Sequence, residues 1–194
     1  EMCIRDRLYT CNGYYNIWFL MKKTALFLIL ITFNLSAQEI KKVDSDKSII
    51  NYTGNHFLHK WSAENKNISG LIQIENETIS NIGVVAKVSD FRSGNSNLDS
   101  NSLRVLDALQ FPNVIFKSTS INQENGQIII DGIMNFHGIE KDINILATVV
   151  QLDGSILLSG KFSVYLTEFL VDRPSLLTIK VDDEINLEFE LYFN

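Results

Sequence analysis

The chain has 194 residues, of which 45% are apolar and 21% charged, with ten glycines and two prolines. This is a globular composition, and it excludes collagen-like, low-complexity and wholly disordered protein. With 17 basic against 23 acidic residues, a net charge of −6, there is no basic excess for the phosphates of nucleic acid or for an anionic membrane.

The N-terminal region separates into two parts. Glu1 to Leu20 shows neither clean periodicity nor the composition of a leader, and residues 1–20 read as a non-native upstream extension. Met21-Lys22-Lys23 then precedes an apolar run from Thr24 to Phe33 and the sequence Asn-Leu-Ser-Ala-Gln at 34–38. A short basic start, an apolar core too short to span a bilayer and a small residue at the cut describe a secretory signal peptide over 21–37, cleaved after Ala37. Gln38 follows the cut where a lipoprotein would need Cys, so the mature chain is expected to be soluble, without stable membrane insertion, and periplasmic or secreted. Setting residues 1–37 aside removes Cys3 and Cys11 and leaves 13 basic and 21 acidic residues. A domain without cysteine has no thiolate nucleophile and no Cys-ligated metal. At about 150 residues it buries enough surface to stand without disulfides.

From Lys47 onward, short β-rich runs alternate with turn signals, the pattern of an all-β sandwich or barrel in one domain, 38–194. Lys87 and Ser89 face out, which puts Val84, Ala86 and Val88 inside. Lys117 and Thr119 do the same for Val114, Phe116 and Ser118. Asp131 and Asn135 leave Ile130, Gly132, Met134 and Phe136 inward. Asn144 and Thr148 leave Ile143, Ile145, Ala147 and Val149, and Lys161 and Ser163 leave Leu158, Gly160, Phe162 and Val164. The last run alternates Ile185, Leu187, Phe189, Leu191 and Phe193 with polar neighbours, and is expected to close a sheet. Asn125-Gly126 and Asp153-Gly154 tolerate positive φ and predict tight hairpins, hence antiparallel neighbours. Between Asn97 and Phe111, Leu103, Leu106 and Leu109 recur every three residues. They predict a short helix capped by Asp99 or Ser100, stopped by Pro112 and covering a barrel end or seam, an irregular loop being the alternative.

These blocks carry a family resemblance. Phe111-Pro112-Asn113-Val114-Ile115-Phe116-Lys117-Ser118 resembles the F-P-x-x-x-F-x-S block of the YceI-like polyisoprenoid-binding family. Asp131 to Lys141, through Phe136-His137-Gly138, is similar to that family's G-x-L-T-I-x-G-V-T-K hairpin, with Met134, Asn135 and Glu140 as departures. The tail from Gly160 through Phe169, Asp172-Arg173-Pro174 and Val181 to Ile185 resembles its final strands, and His56 to Trp61 a variant of its opening. The resemblance spans 40–194. It implies an exported, lipocalin-like antiparallel β-barrel of about eight strands with one short helix, holding a long isoprenoid or quinone-like lipid without covalent chemistry.

The expected ligand wall is Val88, Phe116, Met134, Phe136, Ile145, Phe162 and Phe189. The small inward residues Gly132, Gly160, Ala86, Ala147 and Ser118 would leave room between the aromatics, although glycine in a strand also marks bulges. No cofactor is expected apart from such a lipid. His56 and His59, three apart on an extended strand, would fall on opposite faces, which argues against a shared metal. His137 reads as a solvated or locally bonded turn residue. Of Arg92, Arg104 and Arg173, one is a candidate for a lipid headgroup at the barrel mouth, while Arg173 beside Asp172 reads as an exposed pair. No G-x-S-x-G, H-E-x-x-H, Walker or G-x-G-x-x-G motif is present, so the expectation is a binding protein rather than an enzyme. The rival reading is a ligand-free structural or interaction module of the cell envelope. Leu146, Val150 and Leu157, apolar on the outer face, are candidates for a homodimer seam.

Overall fold

The computed structural model describes residues 38–176 and 178–194, so the expected extension and signal peptide lie outside the described residues. Gln38–Asn194 forms a compact unit by itself. Its strands are β1 (Glu39–Lys42), β2 (Ile49–His56), β3 (His59–Asn65), β4 (Ile68–Glu75), β5 (Thr78–Lys87), β6 (Asn113–Glu124), β7 (Gln127–Phe136), β8 (Ile139–Leu152), β9 (Ser155–Tyr165), β10 (Ser175–Leu176), β11 (Ile179–Lys180) and β12 (Glu184–Phe193). Ten of them form one antiparallel sheet in the order β1-β4-β5-β6-β7-β8-β9-β12-β2-β3, and β10 and β11 pair separately. The main sheet therefore has ten strands where about eight were expected.

The sheet curls until each edge is met by other backbone near one end, which shortens the exposed edges that an open sheet would present. At the end of β1, the Lys42 N–H donates to the Asn194 carbonyl at 2.9 Å, and just beyond it the Asp44 N–H donates to that of Tyr192 at 2.8 Å, joining the first strand to the end of the last. On the other edge, Glu64 of β3 exchanges two backbone hydrogen bonds with Arg92, at 2.9 and 2.8 Å.

Period-two patterning accounts for the interior. Phe193, Ile72 and Ile128 are completely buried, and Ile130, Leu158, Ile145 and Leu191 join them in one core, to which the 3-10 turn Leu166–Phe169 adds the completely buried Phe169. The hairpins form where the turn chemistry placed them: Asn125 and Gly126 both have positive φ between β6 and β7, and Gly154 does between β8 and β9. His137 and Gly138, also at positive φ, make the β7–β8 turn, where the Phe111 ring packs against Gly138 so closely that a side chain there would collide with it. The Phe-Pro and His-Gly blocks are thus two halves of one contact.

The inward glycines serve packing rather than a void. A methyl on Gly132 would run into the Phe116 ring, and one on Gly160 would lie 2.8 Å from the Phe189 ring. The space these glycines leave is taken by phenylalanine. Ser118 is likewise occupied, its hydroxyl accepting from the Ile82 N–H at 2.8 Å beside a β-bulge.

The helix, α1, spans Ser96–Val105 and is capped by Asn95, whose side chain accepts from the N–H groups of Asn97 and Leu98. Asp99 and Ser100, the expected caps, lie inside the helix. Asp99 instead accepts from the Ser93 N–H and hydroxyl. The helix ends seven residues before Pro112 and gives way to a run of turns, so Leu109 no longer shares a face with Leu103 and Leu106 and stands fully in solvent.

Candidate functional site

Three adjoining cavities run from the barrel centre to its mouth. The innermost, about 100 Å³, has only apolar residues in its wall, among them Phe116, Met134, Ile145, Phe162 and Phe189. Phe162 and Phe189 meet edge to face there, with ring centroids 6.3 Å apart. The second, about 80 Å³, shares Met134, Val114, Phe91 and Leu187 with the first and adds Val88, Phe136 and the inner side of α1 at Leu103 and Leu106. The third, about 400 Å³, shares Tyr52, Ser102, Leu106 and Phe136 with the second and opens between α1, the β2–β3 hairpin and the segment from Leu166 to Ile185. Met134 stands between the first two spaces, and an unbranched thioether is the side chain best able to yield there.

All seven residues of the expected wall lie on the inner two spaces. Phe116, Ile145, Phe162 and Phe189 line the innermost and Met134 both. Val88 and Phe136 line the second, Phe136 reaching the mouth as well. Val88 is buried as the pattern required but belongs to a 3-10 turn, Val88–Asp90, rather than to a strand.

The polar groups concentrate toward the mouth. Tyr52 lines the outer two cavities against Phe91, ring centroids 5.5 Å apart. Burial raises its phenol above the ordinary range and the Asp99 charge acts in the same direction, a hydrogen bond with Ser102 opposing both. It is a neutral hydroxyl in an apolar channel at neutral pH. The Asp99 carboxylate is held below its ordinary range by the Ser93 hydroxyl and N–H.

The histidines depart from their sequence reading. His56 and His59 are partners across the β2–β3 hairpin, so they share a face, with ring centroids 5.8 Å apart, and both line the mouth. Spacing along one strand puts residues three apart on opposite faces, but a two-residue turn between them puts them on the same one. Among the described residues no group of three or more metal-capable side chains gathers. His56 is buried and bonds through Nε2 to the Ile179 carbonyl at 3.2 Å. His137 is neither solvated nor locally bonded. Its Nδ1 donates to the Phe169 carbonyl at 3.0 Å, and its Nε2 lies 3.7 Å from the Asp107 carboxylate.

Arg173 pairs with Asp183 at 3.9 Å rather than with Asp172. Burial pushes the Asp183 carboxyl up, but the Thr167 hydroxyl and N–H and the Arg173 charge outweigh it and leave it below the ordinary range. Arg104 lines the mouth cavity and its guanidinium donates to Asn101 at 3.1 Å. Among the described residues no carboxylate pairs with it. On the outer wall, Leu146 and Val150 are exposed and Leu157 half-buried. No helix among the described residues is long and apolar enough to cross a membrane.

The sequence reading missed Tyr52, Trp61 and Ser102. Tyr52 sits on the inward phase of Ile50, Tyr52, Gly54 and His56, a signal weakened by the polar residues within it. Trp61 packs over Gly54, where any side chain would strike the indole.

A search of curated protein sequences finds no match. Among solved structures, BcnA of Burkholderia cenocepacia superposes with a TM-score of 0.71 at 18% identity, covering 77% of this chain and 98% of that one. A polyisoprenoid binding domain from Saccharophagus degradans, implicated in plant cell wall breakdown, gives 0.68 at 11% identity, covering 79% and 97%. The Campylobacter jejuni YceI protein gives 0.57 at 18% identity, covering 66% and 81%. At these identities the likeness shows the fold. The model of the YceI-like domain matches residues 42–193, from the end of the first strand to the end of the last, and the chain belongs to the YceI-like domain family.

Proposed function

We propose that residues 38–194 form a non-covalent carrier of a long hydrophobic chain, an isoprenoid or quinone-like lipid, exported to the periplasm or beyond by the leader at 21–37. The observation that carries this reading is the succession of three adjoining cavities, apolar at the centre and polar only toward the mouth. The polyisoprenoid-binding description of the Saccharophagus domain supports the class of cargo. Ligand sites usually hold about 300–1,000 Å³, and only the mouth cavity reaches that range. The thickest part of the ligand therefore belongs at the mouth, near Arg104 and the two histidines, while a narrow tail passes Met134 into the centre. Burial supplies the affinity, at about 25 cal/mol per Å² of apolar surface. Selectivity follows the girth of the tail.

The test is retention of lipid. Residues 38–194, exported in a bacterial host and purified without detergent, should show by native mass spectrometry an added mass that extracts into organic solvent. Phe136→Asp puts a carboxylate where the channel narrows and should abolish the added mass, while Glu188→Gln, on the outer face, should keep it. The small inner cavities favour the rival reading of a packed, ligand-free module. A bare protein mass that persists after incubation with polyprenols and quinones would establish that reading instead.

A further inference from the structure

Five large apolar side chains stand in solvent around the mouth of the channel. Phe57 and Leu58 form the turn between β2 and β3, Leu109 follows α1, Leu170 follows the 3-10 turn Leu166–Phe169, and Ile179 begins β11. Leu109 is wholly exposed, Leu170 70% and Phe57 63%. Their chain neighbours line the mouth cavity: His56 and His59 bracket Phe57 and Leu58, Leu106 precedes Leu109, Val171 follows Leu170, and Val181 lies just beyond Ile179. The hydrogen bond from His56 to the Ile179 carbonyl holds two of these loops together.

Folding does not call for apolar groups at these places. The other tight hairpin turns of the main sheet are Asn76-Glu77, Asn125-Gly126, His137-Gly138 and Asp153-Gly154, polar or glycine-containing, and each has positive φ at one residue or both. Phe57 and Leu58 are both apolar, and neither has positive φ. Leu170 has φ of 54°, a left-handed conformation that asparagine or glycine adopts more cheaply. An exposed leucine in that conformation is favoured neither by its backbone nor by burial.

We propose that this rim docks mouth-down on the surface of a zwitterionic lipid bilayer, with Phe57, Leu58, Leu109, Leu170 and Ile179 entering the boundary between headgroups and acyl chains. The proposal rests on the carrier reading above. Four separate loops around one aperture are reached together by a soft apolar layer, and that layer is where a long isoprenoid chain enters the channel without crossing water. The excess of 21 acidic over 13 basic residues in 38–194 gives no attraction to anionic lipid, so insertion of apolar groups supplies the binding. Leu146 and Val150, two of the apolar residues exposed elsewhere on the barrel, do not line the mouth cavity.

Residues 38–194, which form a compact unit by themselves, contain a single tryptophan, Trp61, in the mouth wall. Flotation with phosphatidylcholine vesicles should carry the protein to the top, and brominated phosphatidylcholine should quench Trp61. The double variant Phe57→Ser/Leu58→Ser should lower the bound fraction about tenfold. Leu170→Asn, which suits the local backbone and so preserves the fold, should lower it less, and Leu146→Ser/Val150→Ser should leave it unchanged. Absence of flotation, binding without quenching, or an outer-wall variant as damaging as the rim variants would overturn the docking surface. Loading from detergent-solubilised polyprenol, read by native mass spectrometry, is independent of vesicles and should survive in the rim variants. Loading without vesicle binding removes the docking surface alone, whereas vesicle binding without any loading removes the carrier reading and leaves the docking surface standing.

Discussion

The two ends of the barrel are built from opposite chemistry. At one end the turns are Asn76-Glu77, Asn125-Gly126 and Asp153-Gly154, the completely buried Phe193 plugs the interior, and β1 is tied to the last strand by backbone hydrogen bonds. The depression outside that plug, about 390 Å³, is of the same size as the mouth cavity but has Glu39, Lys41, Glu77, Gln123 and Gln151 in its wall. At the other end the strands give way to α1, two 3-10 turns and the short β10–β11 hairpin, and the cavity behind them adjoins the inner two through shared lining residues, the innermost of which is walled by apolar side chains alone. Size alone therefore does not distinguish a ligand site from a surface hollow in this molecule. Continuity with the apolar interior does.

The contrast can be broken from either end. Phe193→Ala removes a fully buried ring from the closed end and should cost about 3–5 kcal/mol in urea unfolding; a loss under 1 kcal/mol would mean that this end is not a packed core. Gly160→Ala pushes a methyl against the Phe189 ring in the middle of the barrel and should cost about 1–3 kcal/mol. It should also shrink the innermost cavity, so lipid retention is expected to fall with stability. Asn95→Ala removes the cap of α1 and should cost about 1 kcal/mol, with faster hydrogen exchange confined to the helix and mouth. Exchange that instead quickens around Phe193 would show the two ends to be coupled. Glu188→Gln breaks the exposed 2.7 Å pair with Lys161 and is expected to leave the melting temperature unchanged.

Acid sharpens the same contrast. Asp99 and Asp183 at the mouth and Asp44 near the closed end are all held below the ordinary carboxylate value of 3.8. Hydrogen bonds lower Asp99 and Asp44 directly. At Asp183 burial raises the value first, and the Thr167 bonds and Arg173 then outweigh it. Such groups add stability that is complete above the unfolded value and is lost as pH falls through 3.8 toward the lower folded values. The melting temperature should hold from pH 7 to pH 5 and drop below pH 4, and Asp183→Asn should reduce that drop. A melting temperature that rises on acidification would reverse the sign of this assignment.

Much of the closed, regular part was legible from alternation alone. Lys117, Asp131, Asn144 and Lys161 each mark an outer face, and the residues between them face the core because a period of two leaves no other choice. The inward placement of Phe116, Met134, Phe136, Ile145, Phe162 and Phe189 follows from that logic, whereas Val88 is buried from a 3-10 turn. The mouth was harder to read because its geometry arises between elements. The shared face of His56 and His59 depends on a turn, the hydrogen bond of His137 reaches the Phe169 carbonyl in a distant segment, and the pairing of Arg173 with Asp183 skips its sequence neighbour. Tyr52 and Trp61 lie on strands whose polar residues obscure the alternation. The interior glycines gave a misleading signal, since small residues along a strand do not reveal that the rings of Phe116 and Phe189 occupy the space beside them.

The central claim is that a hydrophobic chain lies along the cavities with its tail innermost. A polyprenol carrying a photoreactive diazirine at its tail end tests this directly when it is loaded into residues 38–194, irradiated and mapped by peptide mass spectrometry. The account predicts adducts on Met134, Ile145 or Leu158, at the barrel centre. Adducts confined to the outer wall around Leu146, or to the rim loops alone, would contradict it.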